Sequence, residues 1–321
     1  MPTRRTCYGS PRAAIARQLA AAYRGAVLFT VGLLLASTGC RALRCYRGSD
    51  EAVASARQLS LDAVAARERG RWDQAEMLYA DAIGQCPRDE RARCGYAESL
   101  WQRGAQQEAV AHMEAGVRLS GHDPDRLVQL GEMYLTRGDL PGAAQQADRA
   151  IDANRQLASA WALRGKVLHA QESTTEALAS FHHALMLQPQ YAEVQLALAE
   201  IYSRQDRPLR ALTTLQSLAD SFPPEQVPVE VLVQQGFALR RLGRFQDAAR
   251  ALANATGKSN ATAELFYELG RTQLLAGDAA AARLAVAAAL ERDPQHLGSL
   301  ALQNELGAAQ GMMAAALVPR M

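Results

Sequence analysis

Residues 158–191 read ASAWALRGKVLHAQESTTEALASFHHALMLQPQY. Two apolar runs of helical length flank a polar break at Gln171–Thr174, and Pro189 closes the segment. Ala177 sits within the second run, and the same alanine recurs along the chain: Ala75, Ala109, Ala143, Ala177 and Ala211 at steps of 34, Ala248 after a step of 37, and Ala282 after 34 again. A segment of this length is one supersecondary unit, too small to bury its own apolar face, so copies must stack on one another.

Extending the period outward gives seven units: 56–89, 90–123, 124–157, 158–191, 192–225, 229–262 and 263–296. Position 8 of each is small: Ala63, Ala97, Gly131, Gly165, Ala199, Gly236 and Gly270. Position 15 is glycine in five units, which suits a helix end that needs positive φ, with Glu172 and Asp206 in the other two. Position 27 is small in all but Leu218. Small residues at 8, 20 and 27 predict close helix contacts, with Tyr79, Tyr134, Phe181, Leu215 and Leu252 filling the spaces between. Pro141 and Pro208 fall just inside second helices, where a missing N–H costs little, and Asp139 is placed to cap one of them.

The irregular step falls on Phe222–Pro228, whose three prolines cannot continue a helix. It is either a lengthened surface loop or a break between a five-unit and a two-unit block. Leu297–Gln310 reads as a final helix covering the open end, stopped by Gly311, with residues 297–321 forming a capping helix and tail.

The pattern resembles the tetratricopeptide repeat. Residues 158–191 carry Trp161, Gly165, Ala177, Phe181, Ala184 and Pro189 at signature positions, and residues 263–296 carry Leu269, Gly270, Gly277, Ala282, Ala289 and Pro294. The resemblance implies an all-α, right-handed α-solenoid of about seven helix–turn–helix units over 56–296. It also implies a concave face built by the first helices, chiefly positions 2, 5, 9, 12 and 13. Carried over, these positions give Glu98, Trp101, Glu132, Lys166, His169, Phe237, Arg240, Arg241, Tyr267 and Arg271 as a partner-binding groove. Leu135 and Glu200 fall on the same positions. The N-terminal half of that groove is acidic and the C-terminal half basic and aromatic, so the acidic part of a bound peptide or helix is expected towards the C-terminal units. Position 5 never holds lysine, which sets the chain apart from the subset that clasps acidic chaperone tails.

Charge divides the chain. Residues 1–49 hold eight arginines and no acid; removing those eight from the 35 basic residues leaves 27 against 33 acids, a net of −6. An acidic repeat body is a poor nucleic-acid binder, so no nucleic-acid partner is expected. Within residues 1–39, the stretch Gly25–Cys40 is uncharged and would span only ~24 Å as a helix, short of the ~30 Å bilayer core. A basic start, a short apolar run and small residues describe a secretory leader. Ala36-Ser37-Thr38-Gly39-Cys40 resembles a bacterial lipoprotein signal, although Ser37 stands where that family usually has leucine. The resemblance implies acylation of Cys40, a tether over residues 40–55, and a periplasmic body anchored to the bacterial envelope. An uncleaved membrane helix, a cleaved ordinary signal and a buried cytosolic helix are the other readings of the leader.

Cys86 and Cys94 fall at a corner between units, where either a disulfide or two thiols fit. Neither a phosphate loop nor a hydrolase elbow is present, and His182-His183 are adjacent on a helix and point apart rather than at one metal. The chain is therefore expected to be a non-enzymatic adaptor with a protein partner, no cofactor, no metal and no small-molecule substrate. The alternatives are a membrane-tethered cytosolic co-chaperone, disfavoured because basic segments stay inside, and an accessory subunit of an envelope enzyme or secretion complex.

Overall fold

The computed structural model describes residues 50–258 and 261–316, with residues 309–316 described by backbone alone. Among the described residues there are fifteen α-helices and no strand. They fall into two compact units that divide at Met133 and Tyr134. The leader, with Cys40, lies outside the described residues.

The first unit holds α1 (Asp50–Glu68), α2 (Trp72–Gln85), α3 (Glu90–Gln102), α4 (Gln106–Leu119) and most of α5 (Pro124–Thr136). Here α1 packs on α2, α2 on α3 and α3 on α4, and α1 also touches α3. Ala63, Ala66, Ala75, Tyr79, Ala82 and Ala92 form a core cluster of this unit.

The second unit holds α6 (Leu140–Ala153), α7 (Ala158–Ala170), α8 (Thr174–Leu187), α9 (Ala192–Arg204), α10 (Pro208–Ala219), α11 (Val229–Arg241), α12 (Phe245–Thr256), α13 (Ala263–Leu275), α14 (Ala279–Arg292) and α15 (Leu297–Ala316). Each packs on the next, as stacked helix hairpins do.

One corner closes all seven pairs. Residue 15 takes positive φ in each: Gly70, Gly104, Gly138, Glu172 (63°), Asp206 (57°), Gly243 and Gly277. The N–H of residue 16 then reaches back to the carbonyl of residue 11, as in Arg71 to Ala66, Ser173 to Leu168 and Asp278 to Gln273, each at 2.9 Å. This is the six-to-one bond of a Schellman ending, and it satisfies a carbonyl the helix leaves open. Asp139 caps α6 as expected, accepting from the Gly142 N–H at 2.9 Å.

All seven alanines of the ladder have no exposed surface. Position 24 is buried in every unit and holds a large side chain in six of them: Tyr79, Met113, Phe181, Leu215, Leu252 and Val286, with Ala147 in the third. Glycine at position 8 is what admits Phe181 and Leu252. A Cβ on Gly165 would stand 2.6 Å from the Phe181 ring, and one on Gly236 would stand 2.7 Å from Leu252.

The first helix starts at Asp50, six residues ahead of the first repeat unit, where Asp50 and Glu51 favour a helix N-terminus and no glycine or proline intervenes before Gly70. One boundary differs from the sequence reading. The last helix runs through Gly311 to Ala316. A mid-helix glycine costs only ~1 kcal/mol, and the Met and Ala residues that follow are strong helix formers. The proline-rich connection between α10 and α11 forms a short 3-10 turn, Pro224–Gln226, and does not break the core. Val227 is buried in one cluster with Leu215 and Leu218 before it and Val231 and Leu232 after it.

Cys86 and Cys94 stand as free thiols. The Cys94 sulfur fills the space a Cβ on Gly116 would need, 2.4 Å away. Burial pushes its thiol up to about 11. Native alkylation mapped by mass spectrometry should therefore modify Cys86 and spare Cys94 until the chain is denatured.

At the corners, Glu172→Gly should raise stability by about 0.5–1 kcal/mol, since relief of a left-handed residue (~1–2 kcal/mol) exceeds the added freedom of the unfolded chain (~0.4–1 kcal/mol). Asp206→Gly should gain less, because Asp tolerates this conformation better. The shift of the urea midpoint at constant slope checks both.

Candidate partner-binding face

In the first unit, α1, α3 and α5 are the first helices of their pairs, and together with the α2–α3 corner they line a pocket of about 550 Å³. Tyr79 belongs to its wall and is itself buried, which pushes its phenol pKa up. Val53 and Leu61 on α1 face the pocket and remain 43% and 54% exposed. They lie eight residues apart, close to two helical turns, and so share one side of α1.

The pocket's charged residues are five arginines and three acids. Asp89 caps α3, accepting from the N–H groups of Arg91 (2.9 Å) and Ala92 (3.1 Å), and also accepts from Ser60 Oγ at 3.3 Å. Glu98 is joined to Arg67 across α1 and α3.

Of the groove residues expected from the sequence, Glu98, Trp101 and Glu132 lie in this unit, and all three are partly buried. Glu98 also lines the pocket; Trp101 and Glu132 are not among its lining residues.

The remaining seven lie in the second unit. Phe237 and Arg240 meet directly, the guanidinium carbon 5.0 Å from the ring centroid. Arg240 is also ion-paired with Glu268 on α13 and donates to Thr272 Oγ1 at 3.3 Å. Arg241 donates to Asp206 Oδ1 at 2.8 Å and to the Ser203 carbonyl at 3.2 Å. Lys166 pairs with Glu193 at 2.5 Å. Tyr267 lies beside His296, ring centroids 5.4 Å apart, and a Cβ on Gly298 would meet the Tyr267 ring at 3.0 Å. His169 Nδ1 is buried without a hydrogen-bond partner. Arg271 is exposed.

The basic character read at Arg240 and Arg241 is thus balanced by Glu268 and Asp206, neither of them a groove candidate from the sequence. The signal was available: Arg67–Glu98, Lys166–Glu193 and Arg240–Glu268 join opposite charges about one repeat apart, on successive first helices. Arg240 and Glu268 are only 21% and 14% exposed at their side chains, so their geometry is well held. In a double-mutant cycle, Arg240→Ala and Glu268→Ala should show a coupling of about 0.5–1 kcal/mol in urea unfolding, a range set by ion pairs that retain solvent contact.

Among the described residues, no group of three or more His, Cys, Asp or Glu could hold a metal ion, and no helix is long and apolar enough to cross a membrane. His182 is hydrogen-bonded to the Tyr202 hydroxyl at 2.9 Å, while the His183 ring lies tilted against Trp161, centroids 4.0 Å apart, so the adjacent pair diverges as expected.

Tetratricopeptide repeat models match residues 62–124, 128–192 and 233–296, and a second such model matches 168–227. Comparison with curated proteins returned no match. Several solved structures share the fold. Pseudomonas aeruginosa pilF is 16% identical, with a TM-score of 0.58 over 68% of this chain and 99% of that one. A tetratricopeptide repeat protein from Parabacteroides merdae is 16% identical, with a TM-score of 0.54 over 78% and 98%. YrrB, described as having an unusual peptide-binding site, is 20% identical, with a TM-score of 0.52 over 60% and 97%.

Proposed function

This chain belongs to the tetratricopeptide-repeat family, and we propose that it is a non-enzymatic scaffold that holds a peptide or helix of a protein partner against its first helices, tethered to the bacterial envelope by its leader. The observation that carries the binding reading is the pocket of the first unit. Three successive first helices converge on it, and they leave Val53 and Leu61 uncovered beside ionic groups. A partly apolar cleft with placed charges is what a protein presents to a ligand. The peptide-binding site ascribed to YrrB is a precedent for the same use of the fold.

The anchoring half of the proposal rests on the leader. Eight arginines precede the first acid, and the uncharged run ends in Ser37-Thr38-Gly39-Cys40. Acylation at Cys40 by more than one chain would give stable attachment, which a single chain does not. The repeat body would then face the periplasm.

Photo-crosslinking in cells separates a recognition face from inert surface. A photoreactive residue at Leu61 or Arg57 should capture a partner, whereas one at Met77 or Leu284, exposed on second helices, should not. Capture from the second-helix positions alone would contradict the reading. For the anchor, labelled palmitate should enter the wild-type chain and be lost in Cys40→Ala.

A further inference from the structure

We propose that the pocket of the first unit receives an acidic peptide segment built around one large apolar side chain. The inference rests on the scaffold reading above and gives the partner's chemistry at that site.

The acids of the pocket are largely committed to the protein itself. One Asp89 oxygen caps α3 and the other accepts from Ser60, and Glu98 is held by Arg67. Glu90 sits in the first turn of α3, where the helix's own positive end favours a carboxylate. Of the cations, Arg67 is spent on Glu98, while others keep solvent contact. Arg57 and Arg91 are exposed at the pocket. Arg126 donates from Nη1 to Gln129 at 2.8 Å, which uses one of the five N–H donors a guanidinium carries. The balance facing an incoming segment is therefore positive, and guanidinium forks are suited to carboxylates.

Val53 and Leu61, four residues to either side of Arg57 on α1, line the same pocket with exposed side chains. Their burial is the apolar gain available to a ligand, and a pocket of about 550 Å³ has room for a large side chain with its adjoining backbone. The chain's own leader is a poor occupant: residues 1–49 contain eight arginines and no acid, the same sign as the pocket. In the second unit, Arg240 and Arg241 are already matched by Glu268 and Asp206.

The test is fluorescence anisotropy with the full chain in detergent and three labelled peptides: a central Phe flanked by glutamates, the same peptide with lysines for the glutamates, and the glutamate peptide with Ala for Phe. The Glu–Phe peptide should bind, and both substitutions in the peptide should weaken it. Arg57→Glu with Arg91→Glu should weaken it at least ~10-fold, as reversal of charges at a complementary interface does. Leu61→Ser, at an exposed position that leaves the fold intact, should weaken it independently of salt.

Equal binding of the lysine peptide, unchanged binding by both protein variants, or no binding of the Glu–Phe peptide at millimolar concentration would each overturn the proposal. Binding of phosphatidylglycerol vesicles, lost in Arg57→Glu with Arg91→Glu while no peptide binds, would overturn it in favour of a lipid surface. If crosslinking from Leu61 persists while the peptide results fail, the scaffold reading stands and only the acidic-segment assignment falls.

Discussion

Each helix pair in this chain turns on one hydrogen bond: the N–H of the residue after the corner reaching the carbonyl five positions earlier. That bond forms only if the corner residue is left-handed, and all seven corners obey, including the two occupied by Glu172 and Asp206. In the six pairs that lie within one unit, the two helices return side by side from the corner. The fully buried alanine of each second helix fits that arrangement, as do the small residues of each first helix. Bulk recurs at position 24, where Tyr79, Phe181 and Leu252 lie against glycines of first helices. The recurring residues are therefore answers to a single geometric demand, and side chains outside those positions are free to differ.

That freedom is where recognition resides, but it is not unlimited. Charges on successive first helices face one another across about one repeat, and Arg67–Glu98, Lys166–Glu193 and Arg240–Glu268 use it for ion pairs that tie neighbouring pairs together. A charged residue at a groove position is thus as apt to be a fastening between repeats as a contact for a partner. In the first unit the two roles separate. Asp89 and Glu98 fasten, whereas Arg57, Arg91, Val53 and Leu61 face a cleft, and that division gives the pocket its sign.

The fold was legible because its determinants recur. Ala177 and its six counterparts are identified by period alone, and Asp139 and Pro141 announce a helix start by local chemistry. The far end was less legible, since Gly311 falls where the period has run out and only propensity speaks. The site was least legible. Position rules taken from the family name side chains that face the first-helix surface, but they do not say which are already paired. Glu268 and Asp206 lay outside those positions, so the arginines they neutralise looked unopposed. Arg57 and Arg91 do fall on position 2 of their units, but Leu61, at position 6, does not; that the three share one cleft comes from helices of successive repeats meeting, which no single repeat displays. Val227 likewise reads as part of a proline loop, and only packing reveals it as core.

The central claim is that the corner bond is structural in every repeat, whatever residue occupies the corner. Amide hydrogen exchange resolved at Arg71, Ala105, Asp139, Ser173, Arg207, Arg244 and Asp278 measures that bond directly. All seven amides should be protected, those after Glu172 and Asp206 included, and should exchange only when their helix pair opens. Exchange at Ser173 or Arg207 as fast as in an unstructured peptide, with the other five protected, would contradict the account.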